Sequence, residues 1–140
     1  MDHVTLVDEA GNVLGSKDKH AAHEDGGVLH LAFSIIVFDE SGRILLQRRA
    51  LEKYHFAGLW SNSCCGHPRL NEGVVEGGER RLHEEFGFTT SLQDIGSLVY
   101  RATDEASGLT EHELLHVLHG VWSGEPAANP DEIVEWRWVE

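Results

Sequence analysis

Apolar and polar positions along this chain fall mostly into short strand-like runs, and one stretch carries a helical period. His3 to Leu14 holds two short apolar runs around Asp8-Glu9-Ala10-Gly11-Asn12, which predicts a hairpin. Gly15 to Gly27 is polar and reads as irregular. Leu29 to Phe38 is an apolar strand, Asp39-Glu40-Ser41-Gly42 has turn chemistry, and Arg43 to Arg48 is a second strand. The two are expected to pair as a hairpin. Leu59 to Cys64 reads as a short strand, and strands resume at Ser97 to Ala102, Glu111 to Trp122 and Ile133 to Val139.

Val75, Leu82 and Phe86 repeat at seven and four, which predicts a helix over Glu72 to Phe86 with one buried stripe. Gly87 stands where a C-terminal cap belongs. Gly73, Gly77 and Gly78 are poor helix formers, so something other than propensity must hold the first turns. Mixed strands around a central helix predict an α+β fold, or an α/β sandwich.

Length and composition narrow the reading. A chain of 140 residues, 41% of them hydrophobic, suits one domain over 1–140. Eleven Lys and Arg against 24 Asp and Glu give a net charge of −13. That argues against nucleic acid or an anionic membrane as partner, because phosphate contacts need clustered cations. No apolar run is long enough to span a bilayer, and the acidic N-terminus lacks a signal core, so a cytoplasmic location is expected. The two cysteines, Cys64 and Cys65, are adjacent and poorly placed to pair. They read either as small buried hydrophobes or as one working thiol. Ten histidines beside 24 carboxylates raise the prospect of a metal site.

The strongest pattern covers the helix and the loop before it. Gly66, Glu72, Arg80, Leu82, Glu84-Glu85 and Gly87-Phe88 spell G-x5-E-x7-R-x-L-x-E-E-x-G-F over 23 residues. This resembles the Nudix box, in which a loop and helix present carboxylates to a cation shared with a diphosphate. Where the hydrolase pattern has R-E-x-x-E-E, this chain has Arg80-Arg81-Leu82-His83-Glu84-Glu85. An arginine in place of the first glutamate weakens a hydrolytic metal cluster and adds a bidentate phosphate donor.

Upstream stands Trp60-Ser61-Asn62-Ser63-Cys64-Cys65-Gly66-His67-Pro68. With it the chain resembles the type 1 isopentenyl-diphosphate isomerases, a Nudix-fold family marked by T-N-S-x-C-G-H-P; Ser61 keeps the hydroxyl of the threonine. Further landmarks follow in order: Ala21-Ala22-His23, Leu29-His30-Leu31-Ala32-Phe33-Ser34, Arg48-Arg49-Ala50-Leu51, Tyr100-Arg101-Ala102-Thr103-Asp104 and Glu111-His112-Glu113. The resemblance runs from about Lys19 to Trp138.

It implies a Nudix fold, mixed sheets packed with the box helix, and interconversion of isopentenyl and dimethylallyl diphosphate. By position, Cys65 matches the catalytic thiol and Glu113 the glutamate acting on the opposite face of the alkene, with Tyr100 assisting. Cys64 falls at a variable position and reads as packing. His23, His30, His67, Glu111 and Glu113 could surround one divalent ion. Nitrogen with oxygen ligands suits Mn²⁺ or Zn²⁺ better than Ca²⁺. Glu111 and Glu113, two apart on a strand, share a face. Lys19, Arg49, Lys53 and Arg81 match phosphate-binding positions, Trp60 a pocket tryptophan, and Glu85 the glutamate through which Mg²⁺ meets the diphosphate.

Members of the family usually continue beyond the strand that ends at Glu140, with helices that help close the site. Monomer or weak homodimer is the expected state. Two rivals remain at this point: a Nudix hydrolase cleaving a diphosphate, and a non-catalytic protein that holds prenyl diphosphates.

Overall fold

A computed structural model describes residues 3–24, 27–51 and 58–140. Nine strands form one mixed sheet system: β1 (His3–Val7), β2 (Val13–Asp18), β3 (His30–Phe38), β4 (Ile44–Arg49), β5 (Trp60–Ser61), β6 (Cys64–Gly66), β7 (Gln93–Thr103), β8 (Thr110–Val121) and β9 (Ile133–Val139). Two helices accompany them, α1 (Lys19–Ala22) and α2 (Val74–Phe86).

The expected β1–β2 hairpin forms, with Asp8 Oδ1 accepting from the Ala10 and Asn12 amides to set the turn. Gly15 to Gly27 is not irregular throughout, however. β2 continues to Asp18, whose carboxylate caps the next turn by accepting from the Ala21 amide at 3.0 Å. The short α1 that follows carries Lys19 and leads to His23.

The hairpin expected of β3 and β4 forms around Asp39 to Gly42 but is short. The two strands share one register pair, Phe38 with Ile44, and then part. β3 instead runs parallel to β8 from His30–Glu113 to Phe38–Val121, and pairs through Phe33, Ser34 and Ile35 with Gly66, Cys65 and Cys64 of β6. β4 pairs with β9 along its length. No residue of β3 is exposed, which fits its place between β8 and β6. The Leu59 to Cys64 strand is likewise two short strands, β5 and β6, separated by Asn62 and Ser63.

Helix α2 lays Leu82 and Phe86 into the core with Phe33, Ile35, Val37, Leu45 and Leu118, all fully buried. Val74 and Val75 flank that core, as do Trp136 and Trp138. Gly77 and Gly78 explain the helix's low intrinsic propensity. A Cβ at Gly77 would lie 3.2 Å from Pro68 Cα and 2.9 Å from Glu72 Oε1, and one at Gly78 would lie 2.8 Å from Leu118 Cδ1. The helix thus sits closer to the sheet than any side chain would allow. Gly87 closes it at φ 74°, its amide donating to the His83 carbonyl.

Candidate active site

Strand register assembles the site. His30 on β3 lies beside Glu113 on β8, and Tyr100 on β7 lies on the other side of Glu113. These three side chains therefore form a row across three strands on one face. Glu111 shares that face two residues earlier, and its Oε1 accepts from the Tyr100 hydroxyl at 3.3 Å.

The imidazoles of His23, His30 and His67 close over Glu113. Their ring centroids are 5.0, 5.6 and 4.9 Å apart, and one ligand atom from each of the four residues lies within 4.8 Å of the others. His23 Nδ1 contacts the Lys19 carbonyl, and His30 Nδ1 the Val28 carbonyl, both at 2.7 Å. A carbonyl can only accept, so both Nδ1 atoms carry hydrogen and the Nε2 lone pairs turn inward. His30 Nε2 is buried 3.5 Å from Glu113 Oε2 and makes no hydrogen bond. Burial lowers the His67 pKa to about 4, so this ring is neutral near pH 7, the form that ligates. Burial would raise the Glu113 carboxyl, but the His67 ring at 3.1 Å and the His30 ring beside it outweigh that and hold the group ionised.

Inward lone pairs facing a buried carboxylate repel unless a cation or proton lies between them. Three imidazoles and one carboxylate are a fitting donor set for a divalent ion. Glu111, expected as a fifth member, stands next to this group and bonds Tyr100.

One cavity of about 670 Å³ is lined by His67, Glu111, Glu113 and Tyr100, with His23 and His30 buried behind them, and its size is within the range usual for small-molecule sites. Lys19, Arg49 and Arg81 line it, as do Cys65, Tyr100 and Glu85, with Trp60 half-exposed beside Arg137, whose guanidinium lies 5.2 Å from the indole centroid. Lys53 lies outside the described residues. Burial pushes the Cys65 thiol up to about 11 and raises Cys64 as well, so both are protonated near neutrality. Cys64 is fully buried in the core, whereas Cys65 faces the cavity. Burial and the carboxylates of Glu111 and Glu113 raise Tyr100 as well, keeping its phenol protonated.

Arg81 is not a bare cation. It donates to Glu84 at 2.6 Å and to Glu85 at 2.5 Å, and lies 3.3 Å from Glu132. Arg80 in turn bridges Glu72 and Glu84. The box glutamates are thus engaged by the two arginines, and the residue at the hydrolase's first-glutamate position neutralises rather than extends the acidic cluster.

Sequence reading passed over several supports. Gln47 Nε2 donates to Glu85 Oε1 and to the Ser63 carbonyl, each at 2.8 Å. The available signal was its position, two residues from buried Leu45 and so on the inward face of the strand. Glu132, far from α2 in sequence, gave no local signal.

A Nudix sheet with a box helix beneath a polar cavity defines the class of protein. The NUDIX domain model matches residues 28–140. Among solved structures, DR0079 from Deinococcus radiodurans aligns with a TM-score of 0.78 at 19% identity, covering 99% of this chain and 83% of that one. The MutT protein from Methanosarcina mazei Go1 aligns at 0.67 with 25% identity, covering 79% and 76%.

Within that class the chain belongs to the isopentenyl-diphosphate Delta-isomerase family. It is 54% identical to the isopentenyl-diphosphate Delta-isomerase of Halorhodospira halophila over 140 residues, 99% of this chain and 80% of that protein. It is 47% identical to that of Serratia proteamaculans over 135 residues, covering 96% and 74%. No helix among the described residues is long and apolar enough to cross a membrane.

Proposed function

We propose that this chain interconverts isopentenyl and dimethylallyl diphosphate by moving a proton across three carbons. The observation that carries the reading is the convergence of His23, His30, His67 and Glu113 beside Tyr100, with His67, Glu113 and Tyr100 lining the same cavity as Cys65. An unactivated alkene is a very weak base, so its protonation needs a strong acid held in a site closed to water. Glu113 with Tyr100 delivers a proton to the terminal alkene carbon, and charge builds on the tertiary carbon beside it. The forward direction runs from the state in which the site's one mobile proton has passed from the Cys65 thiol to the Glu113 side, so that the sulfur, as thiolate, takes a proton from the carbon next to the diphosphate-bearing one and the double bond forms there. One proton enters and one leaves, so the site ends with its mobile proton on sulfur instead of on the carboxyl side. The reverse direction starts from that state.

His23, His30, His67 and Glu113, with Glu111 adjoining, hold one Mn²⁺ or Zn²⁺, which would make the acid beside it stronger. Lys19, Arg49, Lys53 and Arg81 bind the diphosphate, and Glu85 holds the Mg²⁺ that accompanies it. Trp60 covers the apolar end.

Incubation with isopentenyl diphosphate, Mg²⁺ and either Mn²⁺ or Zn²⁺ in D₂O, followed by NMR, tests the proposal. Dimethylallyl diphosphate carrying deuterium is expected. Intact, unlabelled substrate would refute isomerisation, and release of orthophosphate or the monophosphate would hand the case to a hydrolase.

A further inference from the structure

The proton shift needs the Cys65 sulfur held in one place, yet a cysteine side chain has a free rotor and no charge to anchor it. What fixes it lies across the strand pair. Ser34 on β3 stands directly opposite Cys65 on β6, so both side chains project from the same face. Ser34 is 4% exposed. Its Oγ is 3.7 Å from Cys65 Sγ, within reach of a hydrogen bond to sulfur, and also accepts from Asn62 Nδ2. Ser61 Oγ approaches the same sulfur from the other side at 3.6 Å.

We infer that Ser34, locked in place by Asn62, is the positioning residue for the Cys65 sulfur. A hydroxyl oxygen has two lone pairs and one hydrogen. With sulfur protonated, Ser34 accepts from the S–H while still accepting from the Asn62 amide. Once the proton has left, the hydroxyl turns its own hydrogen to sulfur, and the oxygen stays where it is. The pair thus serves both states of a reversible shift without moving a heavy atom. Asn62 lies between β5 and β6, in the break that leaves its amide free to cross to β3.

The inference rests on the isomerase reading, and the wild type is assayed first to separate the two. A wild type without isomerase activity defeats that reading and the inference with it, whereas an active wild type leaves the variants to judge the inference alone. In Ser34→Ala, kcat is expected to fall about 10- to 100-fold, as for a misplaced reacting group, with KM within about twofold.

A general loosening of the fold would slow every step alike, so isotope effects provide the discriminating readout. The effect of deuterium at the carbon next to the diphosphate-bearing one should grow in Ser34→Ala, and the D₂O effect should not. Asn62→Asp, which keeps the shape but loses the donor, should shift both quantities in the same direction. The double variant should be no slower than Ser34→Ala. A kcat within about twofold of wild type, a loss confined to KM, or unchanged isotope effects would overturn the inference.

Discussion

Gly78→Ala tests how helix α2 is seated, because two opposed effects of known size meet there. Alanine in a helix interior is favoured over glycine by about 0.5–1 kcal/mol. The new Cβ, however, would stand 2.8 Å from Leu118 Cδ1, 3.1 Å from Leu92 Cδ1 and 3.2 Å from Ile35 Cδ1. Leu118 and Ile35 are fully buried and Leu92 is 7% exposed, so none of the three has solvent to retreat into. Overpacking of this kind costs about 1–3 kcal/mol. The steric effect wins, and a net loss of about 1–2 kcal/mol is expected, or a Tm lower by roughly 3–8 °C.

Urea unfolding and thermal melts followed by circular dichroism measure this, with an unchanged m-value showing that only stability has moved. Combining Gly78→Ala with Leu118→Ala should cost less than the sum of the two single changes, because the shortened leucine vacates the space. The same helix presents Arg81 and Glu85 to the cavity, so kcat should fall alongside. A Gly78→Ala protein as stable as wild type or more so would refute the close-approach argument and leave propensity in command.

Three further outcomes are expected. Cys65→Ala should abolish isomerisation and Cys64→Ala should leave most of it; equal loss in an NMR turnover assay would remove the distinction between the cavity thiol and the core thiol. His67→Ala or Glu113→Gln should lose a stoichiometric divalent ion by elemental analysis, and full occupancy in either would refute the ligand set. Glu72→Gln should cost about 1–2 kcal/mol at pH 7 by removing charged hydrogen bonds from Arg80. Those bonds hold the Glu72 carboxyl below its ordinary value of 4.5 in the folded state. Its stabilisation is therefore present above about pH 4.5 and lost as the pH falls through the lowered value. A wild-type-minus-variant difference that persisted undiminished at pH 3 would contradict this.

What could be read from the sequence was what local pattern or spacing encodes. The Val75, Leu82 and Phe86 stripe, the Gly87 cap and the Asp8 turn each depend on residues a few positions apart. The site motifs were legible for the same reason, since Cys65-Gly66-His67 keep their spacing at the end of β6 and Glu111-His112-Glu113 theirs along β8. The β3–β4 hairpin is legible because its turn signal is local, but its shortness is not, since β3 and β4 find longer partners in β8 and β9, far along the chain. Gly15 to Gly27 was misread because one aspartate cap and four helical residues leave no period to detect. The engagement of Arg81 by Glu132 depends on a loop before β9 and on no nearby residue.

The four inward-facing ligands come from the end of α1, from β3, from the segment after β6 and from β8. Only His23 and His30 are near in sequence, so the complete set of four exists in the folded chain alone, and an ion bound there favours that state. Its affinity is then returned as resistance to unfolding, growing at most as RT ln(1 + [ion]/Kd), about 2.7 kcal/mol at one hundred times Kd. For a protein whose carboxylates so outnumber its cations, the supply of one trace metal would set how long the chain stays folded as well as how fast it turns over.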